Sequence, residues 1–267
     1  MTGTNKKSIL KFETIPELFF VSYNTIFIKM KKTGILSILF IISLVTFSFV
    51  KPKQTNIWLI GDSTMAAKKP ERLPESGWGV ALAEFVTHKA VVHNHAASGR
   101  STLSFISEGR WKSVADSLQK GDYVIIQFGH NDEKADAKLH TEPFGSFKTN
   151  LKKFIDESRE KGANPIICSS IVRRHFDGKG NLIDTHGDYI KAAMEIAMET
   201  KTPYINMEAA TRKLVSEMGP DKSKEIFTFT NRKQDSTHVN VKGASVIAKL
   251  FVNEAKAESL SIAKLLK

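Results

Sequence analysis

Five short apolar runs, separated by stretches with helical periodicity, constrain this chain more than any other feature. They are residues 55–60 (TNIWLI), 90–94 (AVVHN), 122–128 (DYVIIQF), 164–170 (NPIICSS) and 203–206 (PYIN). Short apolar runs bounded by turn residues suit strands buried on both faces of a parallel sheet. Helical patterns fall between them, near 77–87, 110–119, 146–161, 186–200 and 208–218. A last helix is expected to open after Asn240, a good N-cap, and to run through VKGASVIAKLFVNEAKA. This alternation predicts one doubly wound, three-layer α/β domain over residues 54–267, with no internal repeat or low-complexity linker. At 267 residues the chain is long enough to bury a real core.

The segment before that domain has a different character. From Met30 the sequence reads MKKTGILSILFIISLVTFSFVKPK, two lysines followed by 17 uncharged residues from Gly34 to Val50. A positive start, an apolar stretch and small residues before a cut after Ser48 are the layout of a secretory signal. The alternatives are a buried helix or an uncleaved anchor, since 17 residues is near the lower limit for spanning a bilayer. Residues 1–29 then read as a spurious upstream extension, 30–50 as the signal or anchor, and the protein as secreted or periplasmic. The membrane would be touched only through the N-terminal segment, if it stays uncleaved.

This segment also explains the charge. Residues 1–53 hold eight lysines and two glutamates, a net +6, and subtracting that from the chain's +11 leaves a mild +5 for the rest. No basic helix or aromatic-interleaved basic run is present, so nucleic-acid binding is not expected. Cys168 is the only cysteine, so no intrachain disulfide can form, and its apolar surroundings predict a buried, inert thiol.

In a parallel α/β sheet, ligands gather at the carboxyl ends of the strands. Four polar stretches fall at such ends or before the last helix: Gly61-Asp62-Ser63, NHAASGRS (94–101), GHND (129–132) and DSTHVN (235–240). Each alone is a common turn sequence. Together they could assemble acyl-transfer chemistry. A serine hydroxyl needs a base to accept its proton, which makes Ser63 the candidate nucleophile and His238 the candidate base. Asp235, three residues earlier, can bend back within one turn and orient the imidazole. The oxyanion that forms needs preset donors, for which the N–H of Ser63, the N–H of Gly99 and the side-chain amide of Asn131 are the candidates. At Gly99 the missing Cβ would also let backbone approach without a clash. The route needs no metal and no cofactor, and His93, His95, His175 and His186 show no zinc-ligand spacing with carboxylates.

These stretches resemble the four blocks of the SGNH, or GDSL-like, hydrolases. EGRW (108–111), GDYVIIQFGHND (121–132), DTHGDY (184–189) and THVNVKGA (237–244) are similar in particular to the rhamnogalacturonan acetylesterases of carbohydrate esterase family 12. The resemblance spans roughly residues 55–255 and implies a flavodoxin-like sheet in the order 2-1-3-4-5. It likewise implies Ser63, Asp235 and His238 as the triad, and Ser63, Gly99 and Asn131 as the oxyanion hole. Thr64 stands where lipases of that superfamily carry leucine, which argues against a lipid substrate.

Rhamnogalacturonan is a polyanion, so arginines around the cleft would favour it. Arg100 is the best placed, with Arg173, Arg174 and Arg232 in loops on the expected face. Trp78 could stack on a sugar ring or simply pack. His130 could shape the pocket or pack, and Asp62 completes the set of substrate-binding candidates. The implied function is removal of acetyl groups from an acidic plant polysaccharide. The alternatives are another acyl ester on the same fold and a non-catalytic carbohydrate-binding protein. Several features have plainer readings: Met194 and Met198 as core packing, DGKGN (177–181) as a turn, and the EAKAESLSIAKLLK tail as an amphipathic cover on the domain, either packed or frayed.

Overall fold

The computed structural model describes residues 53–267, and the readings made for residues 1–29 and 30–50 lie outside them. Five parallel strands form one sheet in the order β2-β1-β3-β4-β5: β1 (Thr55–Gly61), β2 (Ala90–Asn94), β3 (Tyr123–Gln127), β4 (Asn164–Cys168) and β5 (Tyr204–Ile205). The strands and their order are those expected from the sequence. Both faces are buried because every second residue serves a different core. Ile57, Leu59, Ile125, Ile166 and Cys168 join one apolar cluster with Trp78 and Phe251, while Trp58, Ile60, Val124, Ile126 and Ile167 join another with Phe105, Trp111 and Phe154.

The helices covering the sheet are α1 (Trp78–Ala81), α2 (Thr102–Ser107), α3 (Arg110–Ala115), α4 (Lys148–Glu160), α5 (Asp188–Glu199), α6 (Met207–Lys222) and α7 (Val241–Ala257). α6 is interrupted at Gly219, where φ is 70°, and the Asn240 side chain caps α7 by accepting from the Gly243 N–H at 2.9 Å. α2, six residues long, is too short to show a period and was not expected. It is set by a reciprocal cap, with the Ser104 N–H donating to Ser101 Oγ and the Ser101 N–H to Ser104 Oγ.

One further expectation meets a different outcome. Met194 and Met198 are exposed, at 39% and 69%. The buried stripe of α5 runs through Tyr189, Ala192, Ala193, Ile196 and Ala197, and the methionines lie off it. The C-terminal tail covers the domain as expected, and it is packed to its end: Ile262 and Leu266 are buried, and the Lys267 N–H donates to the Phe85 carbonyl at 2.8 Å. The stretch holding Asp235 and His238 is a strand, β7 (Gln234–Val239), antiparallel to β6 (Phe227–Phe229) and outside the main sheet.

The order of the sheet decides where a ligand can bind. The chain leaves β1 to build β2 on one side and returns to build β3 on the other, so a crevice opens at the carboxyl ends of β1 and β3. Gly61 ends β1 at that point. A Cβ there would sit 2.6 Å from the Gln127 carbonyl oxygen of β3.

Candidate active site

Ser63 follows β1 by two residues and begins a helical turn, in which the Met65 and Ala66 N–H groups donate to the Asp62 carbonyl. Its hydroxyl lies 2.8 Å from His238 Nε2, and His238 Nδ1 lies 2.8 Å from Asp235 Oδ2. A regular strand could not present Asp235 and His238 together, because residues three apart point to opposite faces. β7 escapes this through an irregularity: adjacent Thr228 and Phe227 of β6 pair with Asp235 and Val239, so residues 236–238 bulge from the ladder. Asp235 Oδ1 holds the bulge by accepting the Thr237 and His238 N–H groups, each at 2.9 Å. Burial pushes the Asp235 carboxyl up, but hydrogen bonds from His238, Lys233 and these two N–H groups outweigh it and hold it far below its usual range.

Gly99, in the loop after β2, and Asn131, after β3, line the same cleft as Ser63 and His238. Among the described residues the N–H groups of Ser63 and Gly99 donate to no protein acceptor. Asn131 Nδ2 donates one hydrogen to the Arg100 carbonyl at 3.0 Å, which orients the amide and leaves its second hydrogen uncommitted. The backbone conformation adds a further reason for glycine at position 99. A Cβ there would meet no protein atom within 4 Å, while its φ of +80° is one that residues with a Cβ rarely adopt.

The cleft has a volume of about 590 Å³ and carries six cationic side chains, Lys68, Lys69, Arg72, Arg100, Arg110 and Lys134, against one carboxylate, Glu75. Glu75 carried no signal in the sequence, yet it is buried to 1% exposure and holds two of these cations together with Lys233, which lies outside the cleft lining. Lys68 Nζ lies 3.1 Å from its Oε1, while Arg72 Nη2 and Lys233 Nζ lie 2.7 and 2.8 Å from its Oε2. Burial raises the Glu75 pKa, but Lys233, Arg72, His238 and Lys68 bring it down to about 2. Glu75, Asp235 and His238 offer ligand atoms within 4.8 Å of one another, the spacing a metal could use. Lys233 Nζ bridges the two carboxylates there, 2.8 Å from Glu75 and 2.7 Å from Asp235, and supplies the positive charge itself.

Of the four substrate-binding candidates, three are placed elsewhere. Asp62 is fully buried and accepts from the Thr64 N–H and hydroxyl at 2.9 and 2.8 Å. Burial raises its pKa. Trp78 is also fully buried: its ring stacks on Phe251, and its Nε1 donates to Gln127 Oε1, whose amide in turn donates to Thr64 Oγ1. Both residues therefore belong to one buried hydrogen-bonded chain under the nucleophile turn, which also explains a hydroxyl at position 64. His130 is 2% exposed and pairs through Nδ1 with His186 Nε2 at 3.0 Å. Burial first, then His186 and Arg173, drive its pKa well below the usual value, so it stays neutral. Adjacency to a motif says nothing about which way a side chain points, and the deep polar layer under the loops absorbs all three.

Arg100 does line the cleft, where its Nε and that of Arg110 share the Glu108 carboxylate at 3.1 and 2.6 Å. Arg173 is spent on Glu133 and on the carbonyls of His130 and Thr185, and Arg174 on Ser223, Pro220 and the Phe229 ring. Arg232 is exposed on the β6–β7 turn and is not part of the cleft lining.

Comparison with known proteins finds a matching family and related structures. Residues 59–246 match the model of the GDSL-like Lipase/Acylhydrolase family. The chain is 38% identical over 207 residues to the rhamnogalacturonan acetylesterase RhgT of Bacillus subtilis, covering 74% of this chain and 88% of that protein. It is 30% identical over 226 residues to a rhamnogalacturonan acetylesterase of Emericella nidulans, covering 77% and 86%. Among solved structures, protein YxiM of Bacillus subtilis superposes with a TM-score of 0.70 at 25% identity, over 78% of this chain and 58% of that one. Axe2, an acetylxylan esterase of Geobacillus stearothermophilus, shares the fold with a TM-score of 0.57 at 20% identity, over 77% and 96%.

Proposed function

Because the chain belongs to the GDSL-like lipase/acylhydrolase family, and is thereby an ester hydrolase, we propose that it removes acetyl groups from an acidic polysaccharide of the rhamnogalacturonan type. The reading rests on one observation above all: a hydrogen-bonded chain Ser63–His238–Asp235 that opens into a cleft with six cations. His238 Nε2 takes the Ser63 proton as Oγ bonds to the acetyl carbon, and the carbonyl oxygen becomes an oxyanion. The Ser63 and Gly99 N–H groups and the free Asn131 amide hydrogen receive that charge, each donor contributing about 2.7–4 kcal/mol of transition-state stabilisation. As the sugar C–O bond breaks, His238 returns the proton to the departing hydroxyl, leaving an acetyl-serine. A water deprotonated by His238 then releases acetate. Asp235 remains ionised throughout, keeping Nδ1 protonated and stabilising the imidazolium.

The accessible cleft cations, Lys69, Arg72, Arg100, Arg110 and Lys134, support the acidic substrate, as do the relatives named rhamnogalacturonan acetylesterases. Assays of acetate release from acetylated pectin and acetylated xylan test it directly. A preference for pectin is expected, whereas a preference for xylan would keep the mechanism and overturn the substrate. Arg100 gives a finer test. Its guanidinium is about one third exposed, so its contribution is screened. Arg100→Ala should lower kcat/KM on acetylated pectin about two- to fivefold, with little change on p-nitrophenyl acetate. Equal losses on both would remove the carboxylate-binding role.

Export is proposed on the lysine-led apolar segment from Met30 to Val50. N-terminal sequencing of protein recovered from outside the cytoplasm should begin at Phe49. Finding residues 1–29 on it would refute both the cleavage and the start at Met30.

A further inference from the structure

The buried Glu75 carboxylate has no place in the acyl-transfer steps, yet it lies at the centre of the site. Its backbone is anchored to the strand that carries the base. Glu75 bridges with Asn240, and the neighbouring Ser76 N–H donates to the Val239 carbonyl at 3.0 Å. From there its two oxygens reach in two directions. Through Oε1 it holds Lys68, whose ammonium also donates to the Ser63 carbonyl and to Ser98 Oγ. Through Oε2 it holds Lys233, which in turn contacts Asp235 Oδ2 at 2.7 Å.

The Lys68 contacts fall at telling positions. The Ser63 carbonyl belongs to the residue whose N–H is one oxyanion donor, and Ser98 immediately precedes Gly99, whose N–H is another. A lysine ammonium has three hydrogens, and here each meets an acceptor: Glu75, Ser63 and Ser98. The side chain is 4% exposed, so little water competes for those bonds. Lys68 thus spans the loop after β1 and the loop after β2, and its length sets the gap between them.

We propose that Glu75 is a positioning residue for the reaction: by fixing Lys68 it sets the spacing of the Ser63 and Gly99 donors, and by fixing Lys233 it holds Asp235 against His238. One carboxylate thereby ties together the nucleophile turn, the oxyanion loop and the base strand, which come from three distant parts of the chain. Burying an anion is costly unless it is paired. Three cations within hydrogen-bonding distance meet that cost, and each of them is drawn toward the site in return.

The inference rests on the esterase reading, and the experiment separates the two. In the full chain, Glu75→Gln keeps the shape and removes the charge, and Lys68→Met removes the ammonium but leaves Glu75 with Arg72 and Lys233. Each should lower kcat for p-nitrophenyl acetate about fivefold or more while KM changes less than about threefold, because misplaced donors weaken the transition state and not a small ester's ground-state binding. If Glu75 acts through Lys68, the double variant should lose no more than the worse single one. A kcat within about fivefold of the parent in a folded variant, a loss carried by KM, or additive losses would each overturn the proposal. Should thermal melting show Glu75→Gln to be unfolded, Lys68→Met decides alone. Failure here leaves the esterase reading intact, because that reading is tested at Ser63.

Discussion

Ser63→Ala abolishes acetate release, with kcat/KM falling by about four to six orders of magnitude while the protein stays folded. The size follows from the role. Without Oγ no acetyl-enzyme can form, and what remains is attack by water in a cleft whose donors are still in place. The fold survives because the substitution removes a single hydroxyl, one that bonds only a His238 nitrogen at the mouth of an open cleft. Water can replace that bond, so the stability change should stay within about 1 kcal/mol. Thermal melting and acetate release, measured on the same preparation, check both halves. A folded variant retaining more than about 1% of parental activity would mean that another group attacks the ester.

Asp235→Asn should cost about three to four orders of magnitude, chiefly in kcat. An asparagine at this position can keep its oxygen on the Thr237 and His238 N–H groups, as Oδ1 does now, so the bulge of β7 and the position of the imidazole survive. Its NH₂ then replaces Oδ2 opposite His238 Nδ1. A donor facing Nδ1 forces the proton onto Nε2, and an Nε2–H cannot accept from the serine hydroxyl. The same NH₂ also points at Lys233 Nζ, which loses an acceptor but retains Glu75. Steady-state kinetics with p-nitrophenyl acetate, alongside melting, test the claim. A loss smaller than about tenfold would show that Glu75, 4.0 Å from Nδ1, can take over the orienting role.

Both variants bear on residues that were legible from sequence, and the reasons are specific. Ser63, Asn131, Asp235 and His238 sit in short polar stretches that interrupt or follow apolar runs, so their break from the surroundings is visible along the chain. Glu75, Lys68 and Lys233 offer no such contrast. They are charged residues in polar loops, like dozens of others, and only the loss of solvent around them gives them meaning. The reverse error touched Asp62, Trp78 and His130, which stand beside visible motifs but turn into the interior. Met194 and Met198 show the same blindness in a helix. A four-residue spacing puts two side chains on one face, but not necessarily on the face that meets the sheet.

Sequence alone determined the parallel sheet, its helical layers and the end of the sheet where polar groups would gather, because periodicity and strand termination are properties of neighbouring residues. Tertiary structure alone decided how Asp235 and His238 come to one side through the bulge against β6, and which charges are buried around Glu75. Those outcomes depend on water being excluded by segments far apart in the chain, and no local pattern of residues encodes which segments will meet.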